Sequence, residues 1–353
     1  MAVRRAVEQL QAYVPGDQPE GRNVLKLNTN ENPYPPSPNV FAALASVTAD
    51  DLRKYPHPVA GPLRKALADL HRLSEPQVIL CNGSDEGLAL CTRAFAESGG
   101  RVGYLSPSYS LYPVLNDIAE LVQTPYMLKD DFTWEMPEQI PEDLFFLTQP
   151  NAPSGRSMKR EQVCELLQRC EGVVLVDEAY VDFSDWSAVE LLDAFPNLLI
   201  SRTFSKSYSL AGIRMGYLLG SPELIGALYK IKDSYNTDLL AQKVALAAVE
   251  DVATMKANSL LIRGTRNRVT RALEDMGFQV IPSSTNFVFA KVPDGVEAPT
   301  VFEALKREEI FIRYFPGELT GSYLRVTIGT EKEMDRFLDA VTGILTVEGR
   351  EVE

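Results

Sequence analysis

The chain has 353 residues, which at ~150 residues per domain predicts about two domains with ample buried core. A hydrophobic fraction of 45% and a charged fraction of 24% exclude disorder, collagen-like repeats and small disulfide scaffolds. Thirty-five basic residues against 48 acidic ones leave a net charge of −13, which argues against a nucleic-acid or membrane-binding surface but not against one local anion pocket.

The opening stretch MAVRRAVEQLQAYVPG is amphipathic and lacks the apolar stretch of a signal peptide. No run approaches the ~18 apolar residues of a membrane span, so the expected compartment is the cytoplasm. Up to about Pro38 the chain is rich in Pro, Asn and Gly, and the prolines forbid continuous regular structure. This segment reads either as a surface arm or as an arm that crosses to a partner or lines a site.

From Ser37 onward the pattern alternates. Ser37-Pro38 suits the cap and first turn of a helix through Ser46, and Gly61-Pro62 opens another to about Leu73. Short apolar runs lie at Val78–Cys81, Val102–Leu105, Leu144–Leu147, Val173–Val176, Leu198–Ile200 and Met215–Leu219. Helical patterns at Glu86–Ala96, Leu111–Ala119 and Lys159–Cys170 separate several of them. Such alternation predicts an α/β fold, a mostly parallel sheet covered by helices on both faces. The link from Ile200 to Met215 is too short for a helical crossover, so one of its two strands is expected to run antiparallel.

Beyond Pro222 long helical stretches take over, at Glu223–Asp233 and from Leu239 to about Met276, where Gly277 stops the helix. Apolar runs at Asn286–Ala290, Ile310–Arg313 and Leu324–Ile328 then mix with helices at Thr300–Lys306 and Lys332–Leu345. The expected organisation is an N-terminal arm (1–35), a large domain (36–245) and a smaller α+β domain (246–353), linked by a helix spanning about 239–276. The four cysteines (Cys81, Cys91, Cys164, Cys170) form no CxxC pair, and His57 and His71 are the only histidines. Reduced thiols and no metal site are expected.

In open parallel sheets ligands sit beyond the carboxyl ends of the strands, so the residues after each apolar run carry the chemistry. After Cys81 comes Asn82-Gly83-Ser84-Asp85-Glu86-Gly87, a small-residue turn into a helix whose free N–H groups suit a phosphate. It is neither GxGxxG nor a P-loop, which removes most support for dinucleotide and nucleoside-triphosphate enzymes. After Val176 come Asp177 and, three residues on, Tyr180. A buried Asp at a strand end needs a cationic partner, and a protonated ring nitrogen would supply one. After Ile200 the chain reads Ser201-Arg-Thr203-Phe-Ser205-Lys206, with Arg214 eight residues further. A lysine among small and apolar residues can lose its proton and become a nucleophile, while Thr203, Ser205 and Arg214 offer donors to phosphate. Taken singly, each feature suits an ordinary turn. Together they ask for a phosphate, a cationic ring nitrogen, a phenolic oxygen and an aldehyde. Pyridoxal 5′-phosphate carries all four.

On these residues the chain resembles the fold-type I pyridoxal-phosphate aminotransferases, and among them the histidinol-phosphate aminotransferases. The resemblance runs nearly end to end, through Tyr13-Val-Pro-Gly, Leu27-Asn-Thr-Asn-Glu-Asn-Pro-Tyr34, Arg53-Lys-Tyr55-Pro, Gly83–Gly87, Ser106-Pro-Ser-Tyr109, Asp177–Tyr180, Ser205-Lys206 and Leu324-Arg325-Val-Thr-Ile-Gly-Thr330. It implies that Lys206 forms the Schiff base and moves the proton, that Asp177 keeps the ring nitrogen protonated, and that Tyr180 bonds the ring oxygen. It implies that Tyr109 stacks on the ring, that Gly83, Ser84, Asp85, Thr203, Ser205 and Arg214 serve the phosphate, and that Tyr55 reaches the cofactor of a partner subunit. A homodimer with shared sites follows. Arg325, Arg313 and Tyr13 match residues that hold the substrate's anionic groups. The reaction implied moves the amino group of L-histidinol phosphate to 2-oxoglutarate, in histidine biosynthesis.

One departure stands out. The family's Asn-Asn-Pro-Thr-Gly reads Asn151-Ala152-Pro-Ser-Gly155 here, so the asparagine that bonds the cofactor's ring oxygen is replaced by Ala152. Either Asn151 or a water substitutes, or Tyr180 works alone. Alternatives on the same fold are an aromatic amino-acid aminotransferase, a threonine-phosphate decarboxylase and a non-catalytic cofactor-binding regulator. Asn30 and Glu31 are expected near the site without an assigned step.

Overall fold

The computed structural model describes residues 3–11, 16–21 and 23–351. Tyr13 lies outside them. Strand β1 (Leu25–Lys26) belongs to the N-terminal segment. Seven strands follow: β2 (Val78–Cys81), β3 (Arg101–Ser106), β4 (Val122–Met127), β5 (Leu144–Thr148), β6 (Val173–Asp177), β7 (Leu198–Thr203) and β8 (Gly216–Gly220). They form one sheet in the order β2-β8-β7-β6-β5-β3-β4. Strands β3 to β7 pair in parallel, whereas β8 is antiparallel to both β7 and β2, as the short Ile200–Met215 link requires.

Both faces of this sheet are buried, and period-two alternation sorts its side chains between them. Leu80, Phe145, Leu147, Val174, Val176 and Ile200 enter one core cluster. Ile79, Leu144, Phe146, Leu175 and Leu199 enter another on the opposite face. Strand β4 was not among the apolar runs because it is a half-exposed edge strand containing Pro125, so hydrophobicity does not mark it.

Four more strands make the second sheet: β9 (Gln279–Val280), β10 (Phe287–Lys291), β12 (Arg313–Tyr314) and β13 (Tyr323–Thr327), in the order β12-β13-β10-β9, all antiparallel. It has its own apolar cluster around Phe287, Val326 and Phe337. Strand β11 (Ile310–Phe311) pairs instead with β1, in parallel, which draws the N-terminal segment onto this part of the molecule. The stretch expected as one linking helix is two, Leu239–Glu250 and Val252–Asp275. Asp251 breaks it: its backbone leaves the helical region, and its carboxylate accepts from the Ser37 hydroxyl at 2.6 Å and the Thr254 hydroxyl at 2.7 Å. The four cysteines are free thiols, all but Cys164 buried.

Candidate active site

The carboxyl ends of β2, β6 and β7 open onto a cavity of about 240 Å³. Because β8 runs antiparallel, its first residues lie at the same edge, and Arg214 just before it joins the wall. The turn after β2 enters the helix Gly83–Phe95 with Gly83 at φ +76°, a left-handed conformation that glycine adopts without strain. A Cβ there would lie 2.7 Å from Arg214 Nη2. Gly216 is equally constrained, since a Cβ would meet the Ser84 nitrogen at 2.6 Å. Two glycines thus let the helix N-terminus and Arg214 converge. Arg214 donates to Ser205 Oγ at 3.2 Å and pairs with Asp85 at 3.3 Å, while Tyr109 donates to the other oxygen of Asp85 at 3.1 Å. Thr203 Oγ1 accepts from the Ser205 N–H at 3.1 Å. Ser84, Asp85, Tyr109, Thr203 and Ser205 all line the cavity.

Asp177 ends β6 at 3% exposure. Its Oδ2 accepts from the Tyr112 hydroxyl at 3.0 Å, and its Oδ1 is buried without a hydrogen-bond partner. Burial pushes its pKa up to about 7, against the Tyr112 bond, which favours the carboxylate. A cation placed there would restore the charge. Lys206 donates to the Thr29 carbonyl at 3.0 Å and lies 5.9 Å from the centre of the Tyr180 ring. Burial, then the positive charge of Arg325, bring its pKa down to about 8. Asn32 fixes the loop by donating to the carbonyls of Lys206 and Ser207 at 3.1 and 3.0 Å. Neither histidine lines the cavity, and burial lowers His71 to about 3.

The other end of the cavity is made by Gly16, the segment Asn28–Glu31, Arg313, Phe315 and Arg325. Arg313 and Arg325 lie directly opposite each other in the β12–β13 register, hence on one face. Both guanidinium groups stack on Phe315, at 5.4 and 5.1 Å, and Arg325 also lies 5.2 Å from the Phe287 ring. Arg325 donates to the Asn28 carbonyl at 2.9 Å.

One expectation is corrected by this geometry. Asn151 does not line the cavity: its side-chain nitrogen donates to Ser154 Oγ at 3.0 Å and the Pro107 carbonyl at 3.3 Å, closing its own turn. Ala152 takes the wall position and brings no donor. Tyr55 does not reach the cavity of its own chain; it is 80% exposed and stacks on Tyr235 at 4.5 Å. Sequence reasoning gave no step to Asn30, yet its Nδ2 donates to the Tyr180 hydroxyl at 2.8 Å. It passed over Asn32, Tyr112 and Thr148 altogether, since nothing local marks them. Tyr112 bonds Thr148 at 2.6 Å as well as Asp177.

An open, mostly parallel sheet with a lysine, a buried aspartate and a helix-terminus phosphate cradle at its carboxyl edge defines a transferase built around a phosphorylated ring aldehyde. The chain belongs to the family of class I and II aminotransferases, which it matches over residues 22–341. It is 40% identical to the histidinol-phosphate aminotransferase of Citrifermentans bemidjiense over 343 residues, 97% of this chain and 98% of that one. It is 41% identical to the Synechocystis sp. enzyme of the same name over 345 residues, 98% of each chain. Among solved structures, the histidinol-phosphate aminotransferase of Sinorhizobium meliloti in complex with pyridoxal-5′-phosphate superimposes with a TM-score of 0.86 at 25% identity, covering 98% of both chains.

Pyridoxal phosphate fits the residues present. The lone Asp177 oxygen suits a protonated ring nitrogen, the Gly83–Asp85 turn with Ser205 and Arg214 suits its phosphate, and Lys206 suits its aldehyde.

Proposed function

We propose that this chain is a pyridoxal-phosphate-dependent histidinol-phosphate aminotransferase, moving the amino group of L-histidinol phosphate to 2-oxoglutarate in histidine biosynthesis. The observation that carries the substrate class is the Arg313–Arg325 pair. Two guanidinium groups side by side at one end of the cavity can hold an anionic group of a substrate in bidentate fashion. The pair lies apart from the phosphate cradle, so it serves a second anion: the phosphate of the donor or a carboxylate of the acceptor. Tyr13 is proposed as a third contact on the substrate. The full-length likeness to enzymes of that name supports the donor.

The cofactor, when bound, supplies an amine-capturing carbonyl and a cationic ring that draws electrons from the donor's α-carbon. The chain's residues do the rest. Asp177 holds the proton on the ring nitrogen, and Tyr180 directs its hydroxyl at the ring oxygen. Tyr109 covers the ring face. Lys206 Nζ, whose proton affinity burial and Arg325 lower, takes the donor's α-proton. The Asn28–Glu31 segment, whose Thr29 carbonyl accepts from that nitrogen, shields it from bulk water.

The unit at work is proposed to be a homodimer in the cytoplasm. Phe41, Leu52, Tyr55, Tyr235 and Leu240 are exposed large apolar side chains, and the helices bearing Phe41 and Leu240 pack together. A second copy covering them would bring Tyr55 to the neighbouring cofactor. Among the described residues no helix is long and apolar enough to cross a membrane.

The test is a single-turnover half-reaction of the cofactor-loaded protein with L-histidinol phosphate, L-phenylalanine and L-threonine phosphate in turn. Fast amino transfer from histidinol phosphate alone is the expected result. Preference for phenylalanine would make it an aromatic aminotransferase, and loss of carbon dioxide from threonine phosphate would make it a decarboxylase.

A further inference from the structure

The donor missing at Ala152 has a counterpart elsewhere in the cavity wall. Asn30 is 1% exposed, and its Nδ2 donates to Tyr180 Oη at 2.8 Å. Its amide lies between two hydroxyls, those of Tyr180 and Thr327. The Asn30 backbone N–H donates to Thr327 Oγ1 at 3.0 Å, and that hydroxyl donates its own proton to Asn30 Oδ1, also at 3.0 Å. Oδ1 therefore faces Thr327 and the NH2 group faces Tyr180. The Asn30 carbonyl accepts from Asn286 Nδ2 at 2.9 Å, and its φ of +57° is a conformation asparagine tolerates better than most residues.

An amide NH2 can only donate. It fills a lone pair of the Tyr180 oxygen and leaves the phenolic proton free to turn into the cavity that Asn30, Ala152 and Tyr180 all line. Accepting one hydrogen bond also makes a hydroxyl a stronger donor in the next. We infer that Asn30 is a positioning residue that aims and strengthens the Tyr180 hydroxyl toward the cofactor's ring oxygen, replacing through Tyr180 the donor that Ala152 does not provide. The inference rests on the proposed reading of Tyr180 and goes beyond it by assigning the group that acts on Tyr180. Because Thr327 lies on β13 and Tyr180 just beyond β6, the second sheet sets the hydroxyl of the first.

The charged groups acting on Tyr180 and Lys206 are Asp85, Asp177, Arg325, Arg214 and Glu31, and a neutral substitution at Asn30 leaves them all in place. The readout is the pH titration of the visible absorbance of the lysine-bound cofactor. A donor to the ring oxygen stabilises its negative charge and lowers the pKa of the neighbouring lysine-derived nitrogen. Asn30→Ala should therefore raise that pKa by about one unit. In a Tyr180→Phe background the same substitution should shift nothing further, and Ala152→Asn added to Asn30→Ala should restore the wild-type titration. Thr327→Val, which frees the amide to flip, should give a smaller shift of the same sign and serves if Asn30→Ala does not fold. An unmoved titration in both Asn30→Ala and Thr327→Val overturns the inference. So does an equal shift with and without the Tyr180 hydroxyl. If the wild-type protein given pyridoxal phosphate shows no titrating band that Lys206→Ala abolishes, the proposed function itself fails instead.

Discussion

The two ends of the cavity are built by different means. At the cradle end every group stands within a few residues of a strand terminus: Ser84 and Asp85 after β2, Asp177 and Tyr180 at the close of β6, Ser205 and Lys206 after β7 and Arg214 before β8. At the other end Gly16 and Asn28–Glu31 come from the N-terminal segment, while Arg313 and Arg325 come from β12 and β13, about 300 residues later. The first end is held by the ladder of one sheet. The second depends on β1 pairing with β11 and on side-chain bonds such as Arg325 to the Asn28 carbonyl. On the proposed function, cofactor binding falls on the sheet and choice of substrate on a joint between distant segments.

If this division is right, breaking the cradle should abolish chemistry and breaking the joint should change selection. The largest effect is expected from Lys206→Ala, which should slow the half-reaction by roughly 10⁴-fold and remove the visible cofactor band. In the unloaded protein, the rate at which Lys206 captures pyridoxal phosphate should climb with pH and level off above about 8, because only the neutral amine attacks. Arg325→Ala removes a like charge that lowers the lysine's pKa, so it should move that inflection upward. No movement would show that the two ends are electrostatically independent.

Asp177→Asn should cost roughly 10² to 10³-fold in the same half-reaction while leaving the substrate-binding end intact. Its effect on stability should have the opposite sign in the unloaded protein. An aspartate whose folded pKa of about 7 lies above its ordinary 3.8 takes up a proton on folding in that window. Unloaded protein should therefore lose stability as pH rises from about 4 to 7, a trend measurable by thermal unfolding. Asp177→Asn should flatten it, and so should cofactor, whose ring cation compensates the charge. A pH-independent melting temperature in the unloaded wild type would contradict this account of the site.

The same division explains what was legible in the sequence. Strand-end residues could be read because apolar runs locate the sheet and the following residues fall at its carboxyl edge. The antiparallel β8 was legible from a link too short for a helix. Arg313, Arg325 and Tyr13 entered only through resemblance, since no local pattern says which surface their strands or loops will face. Asn30 and Thr327 are 297 residues apart, and the bonds that make Asn30 a donor to Tyr180 exist only after the segments meet. The misread Asn151 failed for a local reason: its amide nitrogen is taken up by Ser154 in its own turn and by the Pro107 carbonyl. Edge strand β4 escaped because exposure removes the hydrophobic signal on which strand reading depends.

At the joint, Arg325→Ala should lower kcat/KM by roughly 10²-fold for donor and acceptor alike, as loss of a charge-assisted bidentate contact does. Arg313→Ala should also lower kcat/KM, by about tenfold, because it removes one of the two guanidinium groups from that end of the cavity. Steady-state kinetics with each substrate varied separately would separate these effects. A loss confined to one substrate would mean that the two anions use different cations.

The smallest expected effect tests whether a third region completes the cradle. Tyr55 is exposed and does not line the cavity of its own chain, so Tyr55→Phe should leave the folded monomer unchanged. If the partner's phosphate lies against that hydroxyl, the substitution removes one hydrogen bond worth about 1 kcal/mol and weakens cofactor retention several-fold. The difference should exist only while two copies are together. Diluting both proteins until sedimentation shows monomers should bring their cofactor dissociation rates to the same value. A several-fold gap that survives dissociation would place the Tyr55 effect within its own chain, and the cradle would then be complete without a second copy.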